Sequence, residues 1–293
     1  MITDADAKRM VNSALMLLAG DVPPGESVVV HIAKTLLPKE ASHAQIFRGV
    51  SAASWDNQHP AACRRHKIVF NKFKVIPKYC FDCIKISIKP RNVIELIKLL
   101  AVFQRLKLPK DNTRKCLVET RTDIPGTYGG LIYFLGIEEA MNAYQSIEEI
   151  LKEEISTDIP ASIKRGCSEY DVAYPGFAQV NQGRSVVEYK EEWSQYERIV
   201  DKKLIEKNRS YFFEARDGTS FTTEEAKVVY TWLMYAAAIG DLSYMLFTDN
   251  QPLPPLKVLV YRKSVDATVE LDLDERGITE EQKRYFKNPE KAE

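Results

Sequence analysis

Hydrophobic and polar positions along the chain change period several times, and each change marks an element. Cys83 to Ile88 alternates strictly, with Ile84, Ile86 and Ile88 on one face and Cys83, Lys85 and Ser87 on the other. A period of two predicts a half-buried strand. Pro90 ends it, and Asn92 with Glu95 predicts a capped helix that runs to Leu106, before Pro109. KCLVETRT (115–122) predicts a second strand. The glycines of DIPGTYGG then predict a hairpin into a third strand, GLIYFLG (130–136). Ala140, Tyr144, Ile147, Leu151 and Ile155 recur at spacings of three and four, which predicts a helix over 138–155. After Pro160, SIKRGCSEY (162–170) predicts the fourth strand.

Strand, helix, strand, strand, helix, strand is the ferredoxin-like order, so the expected fold class is α+β around a βαββαβ core over 79–175. Residues 1–78 are expected to pack on that core, and 176–293 to add helices, terminal strands and a mobile tail. Residues 4–19 read as an amphipathic helix stopped by Gly20. Ser27 to Leu37 is apolar and fits strand or helix; the polar stretch 38–65 reads as loop. Ile68, Phe70, Phe73 and Val75 alternate imperfectly, which suggests a strand with a bulge or break over 66–76. A charged helix is expected over 186–208, with Trp193, Tyr196, Ile199 and Val200 as its apolar stripe. Thr222 and Glu225 cap a further helix to about Phe247, apolar on most sides and so expected to be central. PLPPL (252–256) reads as a rigid spacer before two strands, 256–263 and 267–274.

Composition narrows the function classes more than it defines one. Hydrophobic residues at 45% and charged residues at 28% describe a globular chain rather than a disordered one. Lys+Arg and Asp+Glu stand at 41 each, so no overall basic field draws in nucleic acid or anionic lipid. The apolar stretch from Val228 to Phe247 is interrupted by Thr231, Gly240, Asp241 and Ser243, and suits a core helix better than a bilayer span. MITDADAKRM lacks the apolar run of a secretory signal, and five cysteines is an odd count. Both features lead us to expect a cytoplasmic chain with reduced thiols.

The familiar catalytic signatures are missing: GxxxxGK[ST], HExxH, GxSxG and a strand–GxGxxG–helix all fail to occur. Four histidines, at 31, 43, 59 and 66, offer little material for a triad. His59, Cys63 and His66 form a loose H-x3-C-x2-H spacing, set against the reading of solvated loop residues. An RNA-recognition module needs a basic, aromatic third strand, and GLIYFLG lacks the basic start.

Two features remain. Cys80, Cys83, Cys116 and Cys167 all sit in or beside predicted strands, and thiolates are ligands for zinc or iron. In the usual 4-1-3-2 strand order Cys116 stands two strands from Cys83, about 10 Å away at ~4.8 Å per strand. A site using all four thiolates therefore needs distortion, and plain packing of buried cysteines is the competing reading. The second feature is the face of the sheet away from the helices. Lys85 and Arg121 are candidates there for holding an anionic group, with Lys164 or Arg165 beside them. On the fourth strand either Arg165, Cys167 and Glu169 or Lys164, Ser168 and Tyr170 share that face. Glu119 and Glu169 are the acid/base candidates, and Cys83 and Cys167 the nucleophile or metal ligand. The expectation is an enzyme or ligand-binding protein for a small anionic compound. One alternative is a non-catalytic subunit that docks a protein partner through helices in 186–247, anchored by Trp193 and Tyr196. A third is a single-stranded nucleic-acid module.

Overall fold

A computed structural model describes residues 1–35, 52–55, 62–110, 112–121, 124–180, 187–202 and 217–253. It is a mixed helix and strand structure built on one antiparallel sheet. Two helices open the chain, α1 (Asp4–Ala19) and α2 (Val28–Thr35), before a short strand β1 (Ala52–Trp55). Helix α3 (Ala62–Phe73) and the single turn α4 (Tyr79–Asp82) lead into β2 (Cys83–Ile88). Next come α5 (Val93–Arg105), β3 (Arg114–Val118), β4 (Tyr128–Leu135), α6 (Ile137–Glu154) and β5 (Ala161–Arg165). Beyond β5 lie α7 (Ser168–Ala173), a 3-10 turn (Glu191–Trp193), α8 (Ser194–Asp201) and α9 (Thr223–Ile239). A 3-10 turn at Leu242–Leu246 ends the described elements.

Read from one edge, the strands stand β5-β2-β4-β3-β1, with every neighbouring pair antiparallel. Ile84, Ile86 and Ile88 join α5 and α6 in the larger hydrophobic core, which also takes in α1, α2 and α9. On β3 and β4 the alternation runs in the same phase: Cys116, Val118, Tyr128, Ile132 and Phe134 are buried towards that core. Gly130 has a packing reason to be glycine, because a Cβ there would stand 2.4 Å from Leu99 Cδ2 on α5. Capping boxes open α1 at Thr3/Asp6 and α9 at Thr222/Glu225, and Asn92 caps α5.

The opposite face of β2 is covered as well. A second core gathers Ile68, Val69, Phe70 and Phe73 of α3 with Tyr170, Phe177, Trp193, Tyr196 and Val200. Phe70 meets Tyr170 edge-on at 4.7 Å between ring centroids, and Phe73 stacks on Tyr196 at 5.0 Å. Arg65 clamps this layer through Glu197 at 2.8 Å and through Asp201.

Two expectations are corrected. Residues 66–76 form no strand: Ala62–Phe73 is helical, and His66, Val69, Phe70 and Phe73 are buried at the 3–4 spacing of one helix face. Ile68 and Phe70 point into the same core as their neighbour Val69, which produced the false alternation. The fourth strand also ends at Arg165 rather than running to Tyr170, because Gly166 turns the chain at φ +58° and α7 follows. The spacer at 252–256 lies mostly, and the strands at 256–263 and 267–274 with the tail lie wholly, outside the described residues.

Candidate functional site

The covered face of the sheet carries a row of three polar residues across three strands. Lys85 on β2 is the direct partner of Lys164 on β5 and of Tyr133 on β4. Directly opposed side chains start about 5 Å apart at Cβ, close enough for two ammonium groups to repel each other. Lys85 is only 2% exposed. Its amine lies 4.9 Å from the centroid of the Tyr133 ring and donates to Cys167 Sγ at 3.3 Å. Lys164 is half-buried at the sheet edge and donates to Ser168 Oγ at 2.9 Å. Burial first, and then the charge of Lys85, bring the Lys164 ammonium down to about 8 from its ordinary 10.5.

Gly166 places the next two groups. Its N–H donates to the Cys83 carbonyl at 2.8 Å, and its left-handed backbone then ends the strand. A Cβ at this position would lie 2.4 Å from Phe177 Cε1, so both conformation and space call for glycine. The turn sets Cys167 at the start of α7, half-buried beside Lys85, and buries Glu169 in the first turn of that helix. Glu169 pairs with Arg121 and stands 3.9 Å from Lys67 on α3. Arg121 is forked onto Glu119, Nε to Oε1 at 2.7 Å and Nη2 to Oε2 at 2.6 Å. The Tyr235 hydroxyl on α9 donates to the Glu119 carbonyl at 2.6 Å and fixes this segment. Burial alone would raise the Glu169 carboxyl, but Arg121 and Lys67 outweigh it and hold it below the usual carboxylate range. Burial works against the Arg121 cation too, and is overcome by the hydrogen bonds it donates to Glu119 and the charge of Glu169.

The structure therefore brings Lys85, Lys164, Cys167, Glu169, Arg121 and Glu119 to one side of the sheet. Cys83 lies on the same face of β2 but is buried. Cys80 is buried on α4, where burial and then the neighbouring Cys167 push its thiol well above the ordinary range. The Cys80 thiol points at the Tyr170 hydroxyl, 3.5 Å away. Cys116 stands opposite Gly130 in the helix-side core, where burial alone raises its thiol. The sheet thus separates Cys116 from the other three. Arg165 follows Lys164 out of phase, with its guanidinium 6.0 Å from the Phe177 ring, and does not join the lysines. Burial pulls Arg165 down and Asp82 opposes that.

Among the described residues, no group of three or more His, Cys, Asp or Glu is arranged to hold a metal ion. His59 and the Cys63 side chain lie outside the described residues, and His66 is buried with its ring stacked on Tyr79 at 5.3 Å. Lys67 was not singled out from the sequence, being hidden by the strand reading of 66–76, and Tyr133 was weighed only as a base-stacking residue. Ser168 stands beside Lys164 in one of the two alternatives for the fourth strand. The turn that sets it there is signalled by Gly166, a glycine inside an apparent strand with an acidic residue three positions on.

Comparison with protein-family models, with curated proteins and with solved structures finds no match for this chain. No relative lends it a function. Among the described residues no helix is long and apolar enough to cross a membrane.

Proposed function

We propose that the protein binds a small anionic compound on the covered sheet face, between Lys85 and Lys164, with Cys167 as the adjacent nucleophile. One observation carries this reading: two lysines directly opposed on neighbouring strands, on a face largely closed to water. Glu169 offsets part of the repulsion between these like charges, and an anion that enters between them relieves more of it. Arg121 belongs to the rim of the site and is oriented by Glu119 and Glu169. Glu169 remains anionic at neutral pH and is a poor proton donor, so we assign both carboxylates to holding Arg121 rather than to proton transfer. We read 83–165 as a ferredoxin-like unit with an added edge strand, on its strand order and connectivity.

The docking alternative loses its anchors. Trp193 and Tyr196 are 8% and 7% exposed and pack against Phe81 and Phe73 inside the chain's own second core. They are not displayed to a partner.

Thermal unfolding in phosphate, sulfate and chloride at matched ionic strength tests the binding reading. Phosphate at about a hundredfold over its Kd stabilises the native state by about 2.7 kcal/mol. Wild type should melt several degrees higher in phosphate, and the Lys85→Met/Lys164→Met double variant should show no such gain. An equal gain in both proteins, or none in wild type across the anions, overturns the proposal. Brief alkylation of the native protein with iodoacetamide tests the thiol. Cys167 should be modified while Cys80, Cys83 and Cys116 stay protected, and phosphate should slow the reaction.

A further inference from the structure

We infer that Lys164 captures a carbonyl compound bearing a carboxylate or phosphate, forming a Schiff base while Lys85 holds the anionic group; this rests on the anion site proposed above. The two lysines are opposed in register but differ in surroundings. Lys85 is almost wholly buried, with its amine over the face of Tyr133 and directed at Cys167 Sγ, contacts that hold it in place. Lys164 lies on the edge strand, half-buried, and its amine donates to the Ser168 hydroxyl at 2.9 Å. It is the lysine that a ligand reaches first. A lysine set beside a second cation in a poorly hydrated site is one of the recognised ways to obtain a neutral, nucleophilic amine.

The chemistry balances without an added reagent. The Lys164 ammonium releases a proton, and the amine lone pair attacks the carbonyl carbon to give a carbinolamine. The hydroxyl then leaves as water, taking up a proton. Overall, one ammonium and one carbonyl compound give one protonated imine and one water. The imine is cationic like the ammonium it replaces, and the anionic group of the bound compound lies beside Lys85, where it offsets both charges.

The titration behaviour fits this division of labour. An amine that loses its proton near pH 8 is about a tenth neutral at pH 7, several-hundredfold more than an ordinary lysine.

The test is reductive trapping on the full chain with cyanoborohydride, followed by intact mass measurement and peptide mapping. Pyruvate supplies a carboxylate, dihydroxyacetone phosphate a phosphate, and acetone no charge. We expect a single adduct on Lys164, formed more than about tenfold faster than on the average lysine. Its rate should rise with pH to a midpoint near 8, and one or both anionic probes should outpace acetone. Whichever anionic probe is faster identifies the preferred group. Lys85→Met should move the midpoint upward and erase the advantage of anionic probes, while Lys164→Arg, which keeps the charge, should lose the adduct. Adducts spread over many lysines, a midpoint in the ordinary lysine range, or equal rates for acetone and both anionic probes overturn the inference. If phosphate still stabilises wild type but not the double variant, the anion site stands and only the Schiff base falls. Loss of both results removes the two together.

Discussion

Lys164 and Lys85 set the residue-scale behaviour, and their cost has a pH signature. The folded-state pKa of Lys164 is lowered to about 8, against an ordinary 10.5. Between those values the unfolded chain binds more protons than the native one, so stability rises with pH. The penalty is fully present below pH 8 and is removed as pH climbs through the window to 10.5. Lys164→Met abolishes the penalty. The variant is expected to be more stable than wild type at pH 7, with the gap narrowing towards pH 10.5. Urea unfolding of both proteins at several pH values checks this, and a gap independent of pH contradicts it. Gly166 is a second residue-scale control. Gly166→Ala places a methyl against Phe177 on a left-handed backbone, and should cost about 1–3 kcal/mol. Urea unfolding measures that cost, and brief iodoacetamide treatment of the folded variant should show faster Cys167 alkylation, because the turn that seats the thiol is strained.

At the scale of elements, the sequence speaks most clearly where period and punctuation agree. β2 has strict alternation and a following proline, and α6 has a clean three–four spacing; both lie within a residue or two of their expected bounds. α9 was legible from its capping box and its apolar character on most sides. β1, by contrast, lies in the polar stretch read as loop, and α9 itself stops at Ile239, short of Phe247, where Gly240 turns left-handed. The strand readings of 66–76 and 166–170 share a different physical cause: short amphipathic helices that pack on a second core show too few turns to separate a period of 3.6 from a period of two. In α3 the contiguous Ile68, Val69 and Phe70 all enter that core, and only the buried His66 and Phe73 complete the helical spacing. The two readings differ at Val69, which a strand would turn away from Ile68 and Phe70. Val69 is fully buried in α3, so Val69→Asn should destabilise the protein by more than about 2 kcal/mol. Denaturant midpoints measure this, and a neutral result removes α3 from the core. Thr222→Ala, which deletes the α9 capping box, should cost about 1 kcal/mol by the same measurement.

The candidate site was partly legible for a related reason. Lys85, Arg121 and Glu119 could be assigned to one sheet face from the sequence, whereas alternation on the fourth strand offered either Lys164 or Cys167 with Glu169, not both. Which of them touch was not legible, because the contacts are made by the turn at Gly166 and by α3, both misread as strand. Cys116 shows the converse. Its face follows from the phase of β3, and Arg114, Cys116 and Val118 all point to the helix-side core.

At the scale of the whole molecule, the sheet divides the protein into two cores with unlike tasks. The larger one, from α1, α2, α5, α6 and α9, is apolar and supports the fold. The smaller one covers β2 from the other side and leaves a polar margin where the lysines, Cys167 and the Arg121 cluster meet. A covered sheet face with convergent charged groups is a common setting for ligand sites. The cover also takes up Trp193 and Tyr196, so the aromatic residues that looked like partner anchors pack inside the chain's own second core. The central claim is that an anion enters between Lys85 and Lys164. The most direct measurement is a pH titration of the Lys164 side chain by carbon-detected NMR, with and without phosphate. The expected result is a midpoint near 8 without phosphate, moving upward when phosphate binds, since an anion favours the ammonium. A midpoint in the ordinary lysine range that phosphate leaves unmoved would contradict the account.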